Sequence, residues 1–504
     1  MTKLERFESS DPLPDKIMGY VSVKSVGGRS CFADGLTSLP DSVKPFYASA
    51  VDRKTASRVV EKMGFTIQAV SEMGKALVGP PGAYEELTGG KLVTVEILSH
   101  AEFGIKRYVT HIDIVGNQPS AIGEGRIRSN FAAMEGLFIE RPAMTNASSF
   151  PTPIPPSVNR YHLRLPDDVA LGLNAHAAHR AGYTGRGVTV AMVDSGQYAH
   201  PFFQAHGYNV QPTISVVPGA DPLEDPLGHG TGESANVFAL APDAILQPIR
   251  ASNKEGRLVG TVAGFLAAKQ LNPRVMTNSW GGDEIYPPVS ALVPRQIAWA
   301  MEIQDAVEKG IVVVFSAGNG TFALEAQIPG IISAGGAFMH IGGDFRASDS
   351  TSGYPSPWFS GRTVPDVAGL VGALPRAQYI MLPVPPNSGI DWWESQPNQG
   401  DPNSDGTLPY DGWALASGTS ASAPQIAGAA AVILGAAPHL TPPQVTEALT
   451  RTARDVRTGR CHPVFNSPAT IGHDLATGYG VIDVDAAVKY ALATFPKQTQ
   501  RKKR

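Results

Sequence analysis

From about residue 160 onward, short apolar runs alternate with segments whose apolar positions recur at helical spacing. The runs at 188–193, 244–249, 275–278, 311–315 and 331–334 show little polar alternation, which predicts strands buried on both faces. The segments at 229–240, 258–270, 294–309, 420–434 and 441–452 predict helices. Strands alternating with helices imply the α/β class, a parallel sheet with helices on both faces.

The first third reads differently. Ala56, Val59, Val60 and Met63 stand at i, i+3, i+4 and i+7, one face of a helix. Phe65, Ile67 and Ala69 alternate as in a strand, and so do Val93, Val95 and Ile97. With strands at 46–51 and 76–78 and a short helix at 83–87, the order is β-α-β-β-α-β, that of a small ferredoxin-like α+β domain. Residues 142–156 (PAMTNASSFPTPIPP) have the composition of an extended, exposed linker. The expected organisation is an unassigned extension at 1–43, the α+β domain at 44–141, a Pro/Ser-rich linker at 142–159, the α/β domain at 160–495 and a basic tail at 496–504.

Composition narrows the functional classes. Charged residues are 17% of the 504, below the ~25% of ordinary soluble proteins, which argues against a disordered chain. A net charge of −4 excludes a globally basic nucleic-acid-binding surface, and the tail Arg501, Lys502, Lys503, Arg504 reads as solvated. Two cysteines, Cys31 and Cys461, are too few for a disulfide framework; two free thiols or one long-range bridge remain. The start, MTKLERFESSDPLPDK, has no apolar signal core, so a cytoplasmic protein is expected, or a secreted one if the true start lies upstream. The most apolar stretch, 421–438, is interrupted by Ser422, Pro424 and Gln425 and reads as a buried helix rather than a membrane span.

Three short motifs carry chemistry: VDSG at 193–196, GHGTG at 228–232 and SGTSASAP at 417–424, supplying Asp194, His229 and Ser420. Asp194 ends a buried strand, where open parallel sheets place their sites. His229 and Ser420 each open a helix, and backbone N–H groups at the start of the second can face developing negative charge. SAGNG at 316–320 puts Asn319 after another strand, as an oxyanion donor. TNSWGG at 277–282 follows a further strand, with glycines that leave backbone free to pair with an extended peptide.

In this order and spacing the motifs resemble those of the subtilisin-like serine peptidases, over roughly 160–495, including GYTGRG at 182–187, APDA at 241–244 and GYGVID at 478–483. The resemblance implies Ser420 as nucleophile, His229 as base, Asp194 as its orienting partner, Asn319 with the Ser420 N–H as oxyanion site, and Ser279, Trp280 and Gly281 as one wall of the substrate cleft. It implies an endopeptidase acting on peptides or proteins, needing no cofactor for the chemistry; the charge balance and the lack of a long unbroken apolar run add the expectation of no nucleic-acid and no membrane partner. The related sedolisins carry a glutamate where this chain has His229; a histidine base implies a neutral optimum. The competing class is a catalytically silent peptide-binding protein.

The α+β domain resembles in element order the propeptide of such enzymes, an intramolecular chaperone and inhibitor of an autoprocessed zymogen, with cleavage within 140–160. The alternative is a permanent regulatory or recruitment domain. The chain also departs from the family. His200-Pro201-Phe202-Phe203 lacks the carboxylate of a common calcium site, and His200 reads as a surface or turn residue. An insertion at 384–412 holds Asp401, Asn403 and Asp405 in half of a D-x-N-x-D-G loop, with Gly412 where the closing glutamate belongs. A polar turn is the first reading there and structural calcium the second. Trp392, Trp393 and Trp413 either pack the insertion or line a groove. Glu325 is expected to face solvent; facing the cleft instead, it would favour a basic side chain.

Overall fold

The computed structural model describes residues 6–30, 32, 42, 44–102, 105–117, 122–140, 151–282, 292–397 and 403–497. The chain divides into two units, Met1–Ala147 and Ser148–Arg504. Cys31, Asp401, the linker segment 142–150 and the tail from 498 lie outside the described residues.

In the first unit an antiparallel sheet runs in the order Thr66–Val70, Gly74–Gly79, Ile17–Val23, Met134–Ile139, Glu124–Arg126. Helices Ala50–Lys62 and Pro81–Thr88 share its core through Ala56, Val60, Tyr84 and Leu87. This is the ferredoxin-like arrangement, but two of its strands are not the expected ones. The first is Ile17–Val23, so the boundary at residue 43 does not hold. Residues 46–51 instead end a 3-10 turn, Lys44–Phe46, and begin the helix. Ser49 decides this: its side chain accepts the Asp52 N–H at 3.0 Å and caps the helix. The fourth position, beside Ile17–Val23, is taken by Met134–Ile139. Lys91–Glu102 pairs with Ile105–Val115 and Arg6–Glu8 in a separate sheet.

The second unit is built on a sheet of nine strands among the described residues. Its central strands run Ile245–Arg250, Thr189–Asp194, Val275–Asn278, Val312–Ser316, Ile332–Met339, all parallel. Val367–Leu370 joins parallel to Ile332–Met339, and Phe345–Ala347 is the antiparallel member. Helix Thr419–Ala436 is buried along nearly its whole length and shares its core with helix His229–Leu240, as expected of the buried helix read from its apolar run. The hairpin Ile380–Pro383 with Trp413–Ala416 encloses the 384–412 insertion as its loop. Pro151 is buried and the Thr152 carbonyl accepts from the Trp413 indole at 3.0 Å. The stretch from 151 is therefore fastened to this unit, contrary to a freely exposed linker. Among the described residues no helix is long and apolar enough to cross a membrane.

Candidate active site

Three neighbouring parallel strands end together, with Val193 opposite Asn278 and Asn278 opposite Phe315. Asp194, Ser279 and Asn319 thus leave from one carboxyl edge, and the two core helices bring His229 and Ser420 to it in their first turns. His229 Nδ1 lies 2.7 Å from Asp194 Oδ1, with the Asp194 side chain buried and His229 one-fifth exposed at 21%. The small neighbour of His229 is required: a Cβ on Gly230 would lie 2.2 Å from the Gly196 carbonyl oxygen.

A second carboxylate fixes this helix, one that sequence reasoning passed over. Asp225 Oδ1 accepts from Ser195 Oγ at 2.7 Å and Gly228 N at 3.0 Å, and Oδ2 accepts from Thr231 N and Oγ1, both at 2.8 Å. Ser195 Oγ in turn accepts from Gly230 N at 2.9 Å. Asp225 therefore satisfies orphan N–H groups of the His229 helix and ties it to the residue after Asp194. The signal was present as an aspartate four residues before the histidine, but loop residues between them hid its capping role.

Ser420 is the second residue of its helix. Its Oγ donates to the Ser279 carbonyl at 3.1 Å, and Ser279 Oγ donates to the Ser420 carbonyl at 2.8 Å. Asn319 Oδ1 accepts from both the N–H and the hydroxyl of Thr419 at 3.0 Å. Since the backbone N–H can only donate, this settles the amide orientation and leaves Nδ2 as the free donor. Gly418 makes room for it: its φ is +137°, and a Cβ there would meet Asn319 Nδ2 at 3.1 Å.

The wall at 279–282 differs in part from expectation. Trp280 turns its ring inward, donating from Nε1 to the Val193 carbonyl at 2.8 Å and packing edge-on against Phe315. Ser279 is buried, and the exposed face is the backbone of Gly281 and Gly282. Glu325 does not face solvent. It is 9% exposed and accepts from Trp299 Nε1 at 2.9 Å and Gly282 N at 3.2 Å, bracing the wall from behind.

Burial by itself lowers the His229 pKa, but the adjacent Asp194 charge and hydrogen bond outweigh it, and with Glu233 and Asp225 raise it to about 9. Glu233, one turn along the helix, is likewise displaced upward, chiefly by burial.

The insertion abuts the loop before His229: Gly389 N donates to Pro226 O and Ile390 N to Leu227 O, both at 2.9 Å. Trp413 is buried with its ring edge-on to those of His200 and Phe202, while Trp392 and Trp393 are half exposed. Asp405 does not fit a calcium loop. One oxygen accepts from Thr407 N and Oγ1 at 2.8 and 2.7 Å, the other from Leu415 N at 2.8 Å, so its carboxylate is a buried turn anchor. Among the described residues no group of His, Cys, Asp and Glu is placed to hold a metal ion. His200 is buried rather than on the surface, capping helix Pro201–Ala205 through Nδ1.

An open parallel sheet carrying these motifs at its carboxyl edge is the architecture of subtilisin-like α/β proteins. The subtilase family model matches residues 185–480, more than half of the chain, and the chain belongs to that family. It is 30% identical over 364 residues to a probable subtilase-type serine protease of Deinococcus radiodurans, covering 62% of this chain and 42% of that protein. It is 27% identical over 408 residues to fervidolysin of Fervidobacterium pennivorans, covering 72% and 51%. The chain thus spans about half the length of these curated relatives. The crystal structure of a lanthipeptide protease aligns with a TM-score of 0.46 and 19% identity, over 64% of this chain and 92% of that one.

Proposed function

We propose that the chain is a serine endopeptidase that cleaves peptide bonds through an acyl-enzyme, with Asp194, His229 and Ser420 as its triad. The observation that carries this is the Asp194–His229 pair at 2.7 Å on the edge where Ser420 and the free amide of Asn319 also stand. Ser420 Oγ attacks the scissile carbonyl while His229 Nε2 takes its proton; the carbonyl π pair moves to oxygen, where Asn319 Nδ2 and the Ser420 N–H receive it. Collapse expels the amine, which takes the proton back from His229, and water repeats the sequence to release the acid. Asp194 holds Nδ1–H and stabilises the imidazolium in both halves. Gly281 and Gly282 offer backbone to an extended substrate.

In the resting geometry the Ser420 hydroxyl is on the Ser279 carbonyl, so attack begins with rotation of Oγ toward Nε2. A base with its pKa raised to about 9 must lose its proton to work, which makes the expected profile alkaline rather than neutral. The test is labelling of the full chain by a fluorophosphonate, with casein hydrolysis beside it. Label on wild type and none on Ser420→Ala supports the reading; an unlabelled, folded wild type favours the silent peptide-binding protein.

The first unit serves in this reading as chaperone and inhibitor of a zymogen, supported by its ferredoxin-like sheet and by its place before the peptidase unit. Intact mass of wild type beside Ser420→Ala tests it. Cleavage within 140–160 in the wild type alone is the expected result. A wild type that labels yet stays whole makes the unit a permanent regulatory or recruitment domain.

A further inference from the structure

Helix His229–Leu240 carries an acid that neither the triad nor the oxyanion site uses. Glu233 stands four residues after His229, on the same helix face, with Oε1 4.0 Å from His229 Nε2. Its side chain is 3% exposed, so this is not a solvated surface pair. We propose that Glu233 is a positioning residue for His229, a second carboxylate that holds the imidazolium from the side opposite Asp194. This rests on the serine-peptidase reading.

Three observations converge. The first is bracketing: Asp194 hydrogen-bonds Nδ1 at 2.7 Å, while Glu233 Oε1 lies at ion-pair rather than hydrogen-bond distance, 4.0 Å, from Nε2. The second is rigidity. Glu233 Oε2 accepts from Asn236 Nδ2 at 2.9 Å, and Asn236 Oδ1 accepts from Gln425 Nε2 at 3.0 Å. Gln425 closes on the Leu370 backbone, accepting its N–H at 2.7 Å and donating to its carbonyl at 3.1 Å. Glu233, Asn236 and Gln425 are all buried. This chain fastens Glu233 to the helix that bears Ser420. The third is charge. The charged groups acting on Glu233 are His229 on its own helix and Asp194 from the adjoining strand; on His229 they are Asp194, Glu233, and Asp225 from the preceding loop. A buried carboxylate needs a cation, and the one these neighbours supply is protonated His229. Proton transfer from Ser420 creates that cation, so the contact strengthens as the reaction proceeds.

The test is the pH–rate profile of full-length Glu233→Gln. The acid limb of kcat/KM should move to lower pH by about one unit, as expected on losing an opposite charge at this distance, with kcat reduced and KM little changed. Glu233→Asp, which keeps the charge, should move the limb less. An unmoved limb overturns the proposal. A readout independent of activity separates its failure from failure of the peptidase reading: NMR titration of His229 in Ser420→Ala with and without Glu233→Gln. A lower His229 pKa in the double variant is expected; equal values overturn the role of Glu233. If Glu233→Gln does not fold, the same titration of Glu233→Asp must show a lowered His229 pKa, because the shortened side chain withdraws the charge.

Discussion

Ser279 and Ser420 hold each other through two hydrogen bonds running in opposite directions. The Ser420 hydroxyl donates to the Ser279 carbonyl, and the Ser279 hydroxyl donates to the Ser420 carbonyl. The second bond exists because of Pro424. Four residues after Ser420 inside the helix, it has no N–H to give, so the Ser420 carbonyl would otherwise be an orphan acceptor in the core. Substitution Ser279→Ala removes that donor. The expected cost is about 1–3 kcal/mol of stability, together with a fall in kcat as the start of the Ser420 helix loosens. Urea unfolding in a Ser420→Ala background measures the first and steady-state kinetics the second; unchanged values for both would mean that the carbonyl finds another donor.

Asn319 is clamped at its carbonyl end by Thr419 and free at its amino end. Asn319→Ala should lower kcat by about 10²–10³-fold, the usual effect of losing one oxyanion donor, with KM nearly constant. Asn319→Asp should be no better, since a carboxylate presents no donor at neutral or alkaline pH. Peptide-substrate kinetics on both variants check this. A change confined to KM would move Asn319 from the oxyanion site to substrate binding.

The gathering of Asp194, His229, Ser279, Asn319 and Ser420 at one sheet edge was legible from sequence because these residues sit in motifs at strand ends and helix starts, where backbone geometry dictates residue type. Asp225 and Glu233 were not legible, since an aspartate in a loop and a glutamate within a helix are ordinary until burial is known. Trp280 was read on its motif alone, and only packing shows that its ring joins Phe315 behind the wall. In the first unit the central strand Ile17–Val23 was hidden by Gly19, which breaks the apolar alternation. A Cβ there would lie 2.9 Å from the Tyr84 ring, and Tyr84 donates to the Ile17 carbonyl at 2.9 Å. The glycine makes room for an aromatic residue 65 positions later, a relation that no local period reveals.

His200 supplies a test of acid stability. Its Nδ1 accepts from Phe202 N at 3.1 Å and its Nε2 donates to Gly412 O at 3.0 Å, a pattern only the neutral ring can make. Burial, partly offset by the Gly412 bond, lowers its pKa from 6.5 to about 3. The unfolded chain therefore takes up this proton first. Its contribution is complete above pH 6.5 and is lost as pH falls toward 3, at up to about 1.4 kcal/mol per pH unit. In a Ser420→Ala background, His200→Asn should be less stable at pH 7, having lost the Gly412 bond. It should also lose stability less steeply between pH 6.5 and 4. Parallel slopes would mean that His200 is accessible to protons in the folded state.

Asp391 works in the opposite sense and sets activity against durability. It is fully buried in the insertion beside the His229 loop, with Oδ2 accepting from Asn387 N at 2.6 Å. Burial raises its pKa from 3.8 to about 8; the Asn387 and Gly412 backbone N–H groups oppose this, while the Asp411 and Asp405 charges add to it. The folded chain thus keeps a proton that the unfolded chain gives up above 3.8. The stabilising contribution is whole below that pH and declines through the window up to about 8. In the proposed mechanism the base, His229, has its pKa raised to about 9 and calls for alkaline conditions, where this contribution is gone. Asp391→Asn keeps an acceptor for the Asn387 N–H and cannot ionise. It should therefore raise the melting temperature at pH 8–9 and little at pH 4, and lengthen active lifetime at pH 9 without altering kcat. Melting curves at the two pH values, taken in the Ser420→Ala background, decide it; a variant equally stable or less stable at pH 9 would show that Asp391 is not held protonated by the fold.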